Sequence, residues 1–242
     1  MLRALCCLIL LQFPQFEAFD VICDQDVVTA VGKDVTLKCT FGKGDSNPTV
    51  IWEKVGEEQS VHEYRNDADD FSEQHRNYTK RTALGGSRVK GGDASLTLKN
   101  VNVWDEGRYK CSVNIIDGFG DATVVLSVWA RGSGNVGIVW KSNGDNGDVL
   151  TCQSSGLYPA PEIKWEDKHG KNLNEVSETN LTRDKNGLYS VDHYLKQNHD
   201  SKNQYICSVW HKYMGKPQRA RVAFTDGNSM IRLDDGEPSL DL

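Results

Sequence analysis

The 242 residues contain no Cys-x-x-Cys pair, no His-Glu-x-x-His, no Gly-x-Ser-x-Gly and no glycine-rich phosphate loop ahead of a helix. These absences remove the usual local patterns for a thiol redox site, a zinc peptidase, a serine hydrolase and a phosphate cradle. The six histidines are scattered. His62 and His75 near Glu63 and Glu73, and Asp69 and Asp70 beside Glu73, read as polar groups of solvated segments rather than as a metal site. No catalytic residue, metal ligand, cofactor or small-molecule substrate is expected, and the chain reads as not an enzyme.

Basic charge is also short. Lys and Arg number 28 against 34 acids, giving a net charge of −6 and a pI near 5.5. With no basic stripe, nucleic acid is excluded as a partner. Long hydrophobic runs are missing too. The one continuous run, Ala4 to Leu11 after Arg3, falls well short of the roughly 20 residues a bilayer requires. It reads as a secretory signal over residues 1–18. Cleavage after Ala18 keeps Cys23, whereas cleavage after Cys23 removes it. The chain ends in an acidic stretch with no apolar or lipid-anchor signal. A secreted product is expected, or else a piece or spliced form of a protein anchored on the outside of the plasma membrane.

What is present is a pattern that occurs twice. Cys39, Trp52 and Cys111 are matched by Cys152, Trp165 and Cys207, with Trp 13 residues after the first Cys in both sets. Tyr109 and Tyr205 each stand two residues before the second Cys. A disulfide between two sheets, a Trp packed on it and a Tyr at the adjoining corner are the core signature of an immunoglobulin sandwich. The signature pairs Cys39 with Cys111 and Cys152 with Cys207, each bond closing a long loop and stabilising by roughly 4 kcal/mol in the chain-entropy view. It makes Trp52, Tyr109, Trp165 and Tyr205 core residues. Cys23 is left unpaired. Disulfides and export agree.

The two cysteine spacings are 72 and 55 residues. The extra 17 residues fit two short strands with their turns, at about 5 to 6 residues per strand. Variable-type domains add two such strands and constant-type domains lack them. The expected class is therefore all-β, two immunoglobulin sandwiches in tandem: variable-type over 19–129, a linker over 130–134, constant-type over 135–224, and an acidic disordered tail over 225–242. Alternation along Val35–Cys39, Ser95–Leu98 and Thr123–Val128 supports strands, with Val124, Leu126 and Val128 on one face. Asp105 lies at the corner before the second cysteine strand, and Arg81 is its expected structural ion-pair partner. Gly118-Phe119-Gly120 suits a glycine bulge before the last strand. Asn77-Tyr78-Thr79 and Asn180-Leu181-Thr182 are N-glycosylation sequons at Asn77 and Asn180. Pro48 blocks a third, at Asn47.

Several runs carry a more specific resemblance: Ser60-Val61-His62-Glu63-Tyr64, Phe71-Ser72-Glu73-Gln74, Lys80-Arg81-Thr82-Ala83, Ala94 to Val101 and Asp105 to Cys111. They resemble the membrane-distal domain of the butyrophilin-like T-cell costimulatory and coinhibitory ligands. Ser155 to Trp165 is similar to the constant-type motif of the same family. The resemblance spans about Phe19 to Phe224. It implies a cis Tyr158–Pro159 bond and favours cleavage near Ala18, so that Cys23 is kept. A Cys at that position departs from the family pattern, and so does an end without a membrane anchor. The resemblance further implies binding to a T-cell surface receptor, of unspecified identity, that regulates and most simply inhibits T-cell activation and cytokine production. The binding face is the sheet holding the Trp strand. With Trp52 inward, Ile51 and Glu53 point out; with Tyr109 and Cys111 inward, Lys110 points out. In the loop Ile115–Phe119, Phe119 is the leading anchor. Ile116 is either exposed there or packed beneath the loop. His62 and Tyr64 are second choices. The alternatives are a self-associating or adhesion protein, with Cys23 linking two chains, and a soluble decoy of a membrane ligand.

Overall fold

The computed structural model describes residues 17–42, 47–116, 118–142, 148–197, 204–225 and 229–233, and among these the regular structure is strand with short 3-10 turns. The expected signal segment up to residue 16 and the acidic end from residue 234 lie outside the described residues.

The first part of the chain forms β1 (Glu17–Ala18), β2 (Val21–Cys23), β3 (Asp26–Ala30), β4 (Val35–Leu37), β5 (Cys39–Phe41), β6 (Thr49–Lys54), β7 (Ser60–Arg65), β8 (Ala68–Asp70), β9 (Thr82–Ala83), β10 (Leu96–Leu98), β11 (Gly107–Ile115) and β12 (Gly118–Arg131). The second forms β13 (Gly137–Ser142), β14 (Asp148–Tyr158), β15 (Glu162–Asp167), β16 (Ser177–Arg183), β17 (Tyr189–Gln197), β18 (Gln204–Trp210), β19 (Gln218–Thr225) and β20 (Ser229–Leu233). The chain divides into two compact units. One holds residues up to 27 with 35–99 and 107–125, and the other holds 28–34, 100–106 and 126 onward.

In the first part, hydrogen-bonded neighbours run β12-β11-β6-β7-β8, while β4-β10-β9 and the pair β2-β5 form the opposing layer. β7 and β8 are the two additional strands that the longer cysteine spacing calls for. Asn66 and Asp67 join them with φ of 50° and 64°, the backbone of a two-residue type I′ turn, which suits the twist of a tight hairpin. Leu37, Val50, Trp52, Leu96, Leu98, Tyr109 and Val113 are buried between the layers, as period-two alternation places them. The Trp52 indole N–H donates to the Ala94 carbonyl at 2.8 Å, which satisfies the polar end of a buried ring.

In the second part, β16-β17-β14 with β13 on β14 faces β15-β18-β19-β20. Ile138, Leu150, Leu157, Trp165, Leu195, Tyr205, Val209 and Val222 make its core. Cys152 and Cys207 are bonded across the two sheets, Cα to Cα 6.2 Å. Trp165 lies opposite Cys207 and donates to the His193 carbonyl at 3.2 Å. The Tyr158–Pro159 bond is cis.

Two expectations are corrected here. The tail was expected to be disordered from Thr225, yet Ser229–Leu233 forms β20, antiparallel to β19 with Phe224 opposite Met230. Ile231 is a good strand former, and the main chain there gains a ladder on an otherwise open edge. The acids that suggested disorder are concentrated after this strand. The second correction concerns the cysteines. Cys23 is not unpaired: it is bonded to Cys39, and Cys111 is the free cysteine among the described residues, and is buried. β2 and β5 place Cys23 directly opposite Cys39, with Cα atoms 4.1 Å apart, so Cys39 is bonded within its own layer and the expected Cys39–Cys111 bond across the core is not the one in place.

Candidate functional site

Directly opposed residues on antiparallel neighbours share a face of the sheet. β6 and β11 pair Trp52 with Cys111, Ile51 with Ser112 and Glu53 with Lys110. Trp52 and Cys111 are buried, so Ile51, Glu53, Lys110 and Ser112 share the outer face. Glu53 is exposed, Ile51 and Lys110 are half-buried, and Ser112 is covered by its neighbours. Phe119 on β12 is 43% exposed, and Asp121, two residues on, brings a carboxylate oxygen 3.8 Å from the Lys110 ammonium. Ile115 ends β11 half-buried. Ile116 is 74% exposed, so it does not pack beneath the loop. Asp117 lies outside the described residues. The face is a mixed surface, one aromatic and one aliphatic side chain beside two acids and a lysine. Glycine at position 120 is required by close approach, since a Cβ there would strike the Phe19 carbonyl oxygen.

His62 and Tyr64 do not belong to this face. They are 0% and 2% exposed, because β7 sets His62 opposite Trp52 and Tyr64 opposite Val50, both inward positions. His62 Nδ1 is 2.9 Å from the Thr82 hydroxyl. Its Nε2 is 3.1 Å from an Asp69 carboxylate oxygen without the alignment of a hydrogen bond, and the Phe71 ring stands edge-on at 5.3 Å. The β7 residue on the outer face is instead Glu63, opposite Ile51. Its carboxylate is held by Arg65 at 2.7 Å and is itself buried. Sequence reading missed Glu63 and Asp121. Asp121 had a signal, the two-residue step from Phe119. Glu63 had none, because a register irregularity between Trp52 and Glu53 lies between the Trp strand and its neighbour.

Among the structural residues, Trp52, Tyr109, Trp165 and Tyr205 are buried, and the Tyr109 and Tyr78 hydroxyls are 3.4 Å apart. Arg81 donates to the carbonyls of Lys99 and Asn77. Asp105 is buried and accepts from the Asn102 N–H at 2.8 Å in a capping box. Asn77, on a 3-10 turn, and Asn180, on β16, are both exposed.

Beneath the outer face lies a cluster of sulfurs. Cys23, Cys39 and Cys111 bring their Sγ atoms within 4.8 Å of one another. Burial pushes the Cys111 thiol up to about 12, with Asp121 adding in the same direction, so this thiol stays protonated at neutral pH.

Residues 24–128 match the immunoglobulin V-set domain family, and residues 133–219 match the "Butyrophilin subfamily 3 member A2-like, Ig-C domain" family. The chain is 31% identical over 183 residues to V-set domain-containing T-cell activation inhibitor 1 of Rattus norvegicus, covering 74% of this chain and 64% of the relative. It is 28% identical over 230 residues to butyrophilin subfamily 1 member A1 of Mus musculus, covering 92% of this chain and 43% of the relative. The chain thus spans less than two thirds of the length of these relatives. The solved structure of bovine butyrophilin superposes with a TM-score of 0.74 at 24% identity, over 85% of this chain and 98% of that one, which is a likeness of fold. Relatives of this kind are extracellular or cell-surface proteins and are not enzymes. No helix among the described residues is long and apolar enough to cross a membrane. The chain thus carries a V-set domain followed by a butyrophilin-type Ig-C domain, and its homologues include V-set domain-containing T-cell activation inhibitor 1 and butyrophilins.

Proposed function

We propose that this chain acts outside the cell as a ligand for a T-cell surface receptor, lowering T-cell activation and cytokine production, and that the outer face of β6, β11 and β12 makes the contact. The observation that carries this reading is the 31% identity over 183 residues to a relative named for inhibiting T-cell activation. The exposed Phe119 beside Ile51, Glu53, Lys110 and Asp121 supports the choice of face. An aromatic ring ringed by polar groups is the usual composition of a protein-binding hot spot.

The test is binding of the purified chain to T cells, read by flow cytometry, together with cytokine release on plates coated with it. Phe119→Ala is expected to weaken binding by about tenfold or more, as a central aromatic anchor does. Ile51→Asp is expected to act in the same direction. Variants that keep the native circular dichroism and bind like the parent would overturn the face. Unchanged cytokine release on coated plates would overturn the inhibitory role.

A further inference from the structure

We propose that Cys23, Cys39 and Cys111 form an exchange triad, in which Cys39 can be bonded either to Cys23 or to Cys111 and the chain interconverts between the two isomers. The proposal rests on geometry. The three Sγ atoms lie within 4.8 Å of one another, and two of them are bonded while the third is a buried thiol. Each alternative uses a partner the fold already presents. Cys23 faces Cys39 on the adjacent strand, and Cys111 comes from the opposing sheet opposite Trp52.

In the exchange, the Cys111 thiol loses its proton and its sulfur attacks Cys39 Sγ in line with the existing bond. The Cys39–Cys111 bond forms as the Cys23–Cys39 bond breaks. Cys23 leaves as a thiolate and takes up a proton, so the count of thiols and disulfides is unchanged and no oxidant or reductant is consumed. The Cys39–Cys111 bond closes a 72-residue separation instead of 16, which constrains the unfolded chain more. The Cys23–Cys39 bond joins strands that already pair. Burial keeps Cys111 protonated, its value lying at about 12, so exchange in the closed sandwich is slow and proceeds through opening of β2. That strand is three residues long, and Ile22 at its centre is 69% exposed. The second isomer places the free thiol on Cys23, half-buried on this short strand, where a small disulfide such as oxidised glutathione can reach it.

The test uses the exported chain. Thiols are blocked quickly at low pH, the unreduced protein is digested, and bonded peptides are read by mass spectrometry. Both Cys23–Cys39 and Cys39–Cys111 peptides are expected, with the block on Cys111 in one population and on Cys23 in the other. After incubation at pH 8 with a trace of reduced glutathione, the ratio is expected to reach one value from two starting points, the exported protein and protein refolded after reduction. A single pairing that persists through incubation, of either kind, overturns the proposal, and so do two pairings whose ratios stay apart. Cys23→Ser and Cys111→Ser supply standards for the two bonded peptides. The mapping of the unmutated chain decides the matter even where a variant fails to fold.

Discussion

The two halves of the chain carry one motif and use it differently. In the second, Cys152 and Cys207 have no rival: they are bonded across the sheets, with Trp165 beside them at the register position opposite Cys207. In the first, Trp52 stands opposite Cys111 in the same way, yet the bond in place joins Cys39 to Cys23. The packing around the two Trp rings is alike while the covalent link is not. A motif of this kind specifies a buried environment through burial and hydrogen bonding. Which sulfurs are bonded inside that environment depends on every cysteine within reach.

The largest effects come from what the halves share. Trp52→Ala and Trp165→Ala each remove a fully buried ring and break a hydrogen bond to a carbonyl. Each is expected to cost about 3 to 5 kcal/mol, measured by urea denaturation of the whole chain. Clearly unequal costs would show that the covalent link, not the ring, holds one of the cores. The next effect separates the halves. Cys152→Ala deletes the one cross-sheet disulfide among the described residues and is expected to cost about 2 to 5 kcal/mol. Cys111→Ala removes a thiol and leaves Cys23–Cys39 in place, so about 1 kcal/mol is expected. Equal losses in the two variants would mean that Cys39–Cys111 is the bond that stabilises the first half.

The sequence reveals most where local chemistry is sufficient. Trp52, Tyr109, Trp165 and Tyr205 could be placed in cores because each stands at a fixed step from a buried cysteine. The outward positions Ile51, Glu53 and Lys110 followed from alternation about Trp52 and Cys111. What alternation cannot supply is the register of one strand on the next. His62 and Tyr64 sit inward because β7 pairs with β6 through an irregularity between Trp52 and Glu53, a feature with no local signature. The same holds for Cys23. Nothing near it in the chain shows that β2 will lie against β5 with its sulfur facing Cys39. β20 was hidden for a different reason, since the acids that follow it dominate the composition of the tail.

A smaller contrast depends on pH. His193 is buried in the second half, its two ring nitrogens 3.1 and 2.8 Å from the hydroxyls of Ser177 and Thr179. Burial holds its imidazole below the usual value of 6.5, partly opposed by a hydrogen bond from the ring to the Glu178 backbone carbonyl. The unfolded chain therefore binds the proton more readily. The associated stability is complete above about pH 6.5 and is lost as pH falls from there toward the folded value. Urea midpoints of the second half at pH 7.5 and pH 5.5 are expected to fall in that order, and His193→Gln is expected to flatten the difference. A midpoint that rises on acidification would contradict a neutral buried ring.

The smallest effect on folding is the most informative about the proposed face. Lys110 lies 3.8 Å from Asp121 in the first half, and Lys164 lies 2.9 Å from Glu166 in the second. Both pairs are partly open to water, where such pairs contribute about 0 to 1 kcal/mol and are screened by salt. Lys110→Ala and Lys164→Ala are therefore expected to leave the urea midpoint unchanged within error. Their effects on T-cell binding should differ. Lys110 shares its face with Phe119, and charge at the rim of a contact acts mainly on the rate of association. Lys110→Ala is expected to slow association measurably at low salt and hardly at all at high salt, with Lys164→Ala indistinguishable from the parent at both. If the two lysines behave alike, the outer face of β6, β11 and β12 is not where the partner binds.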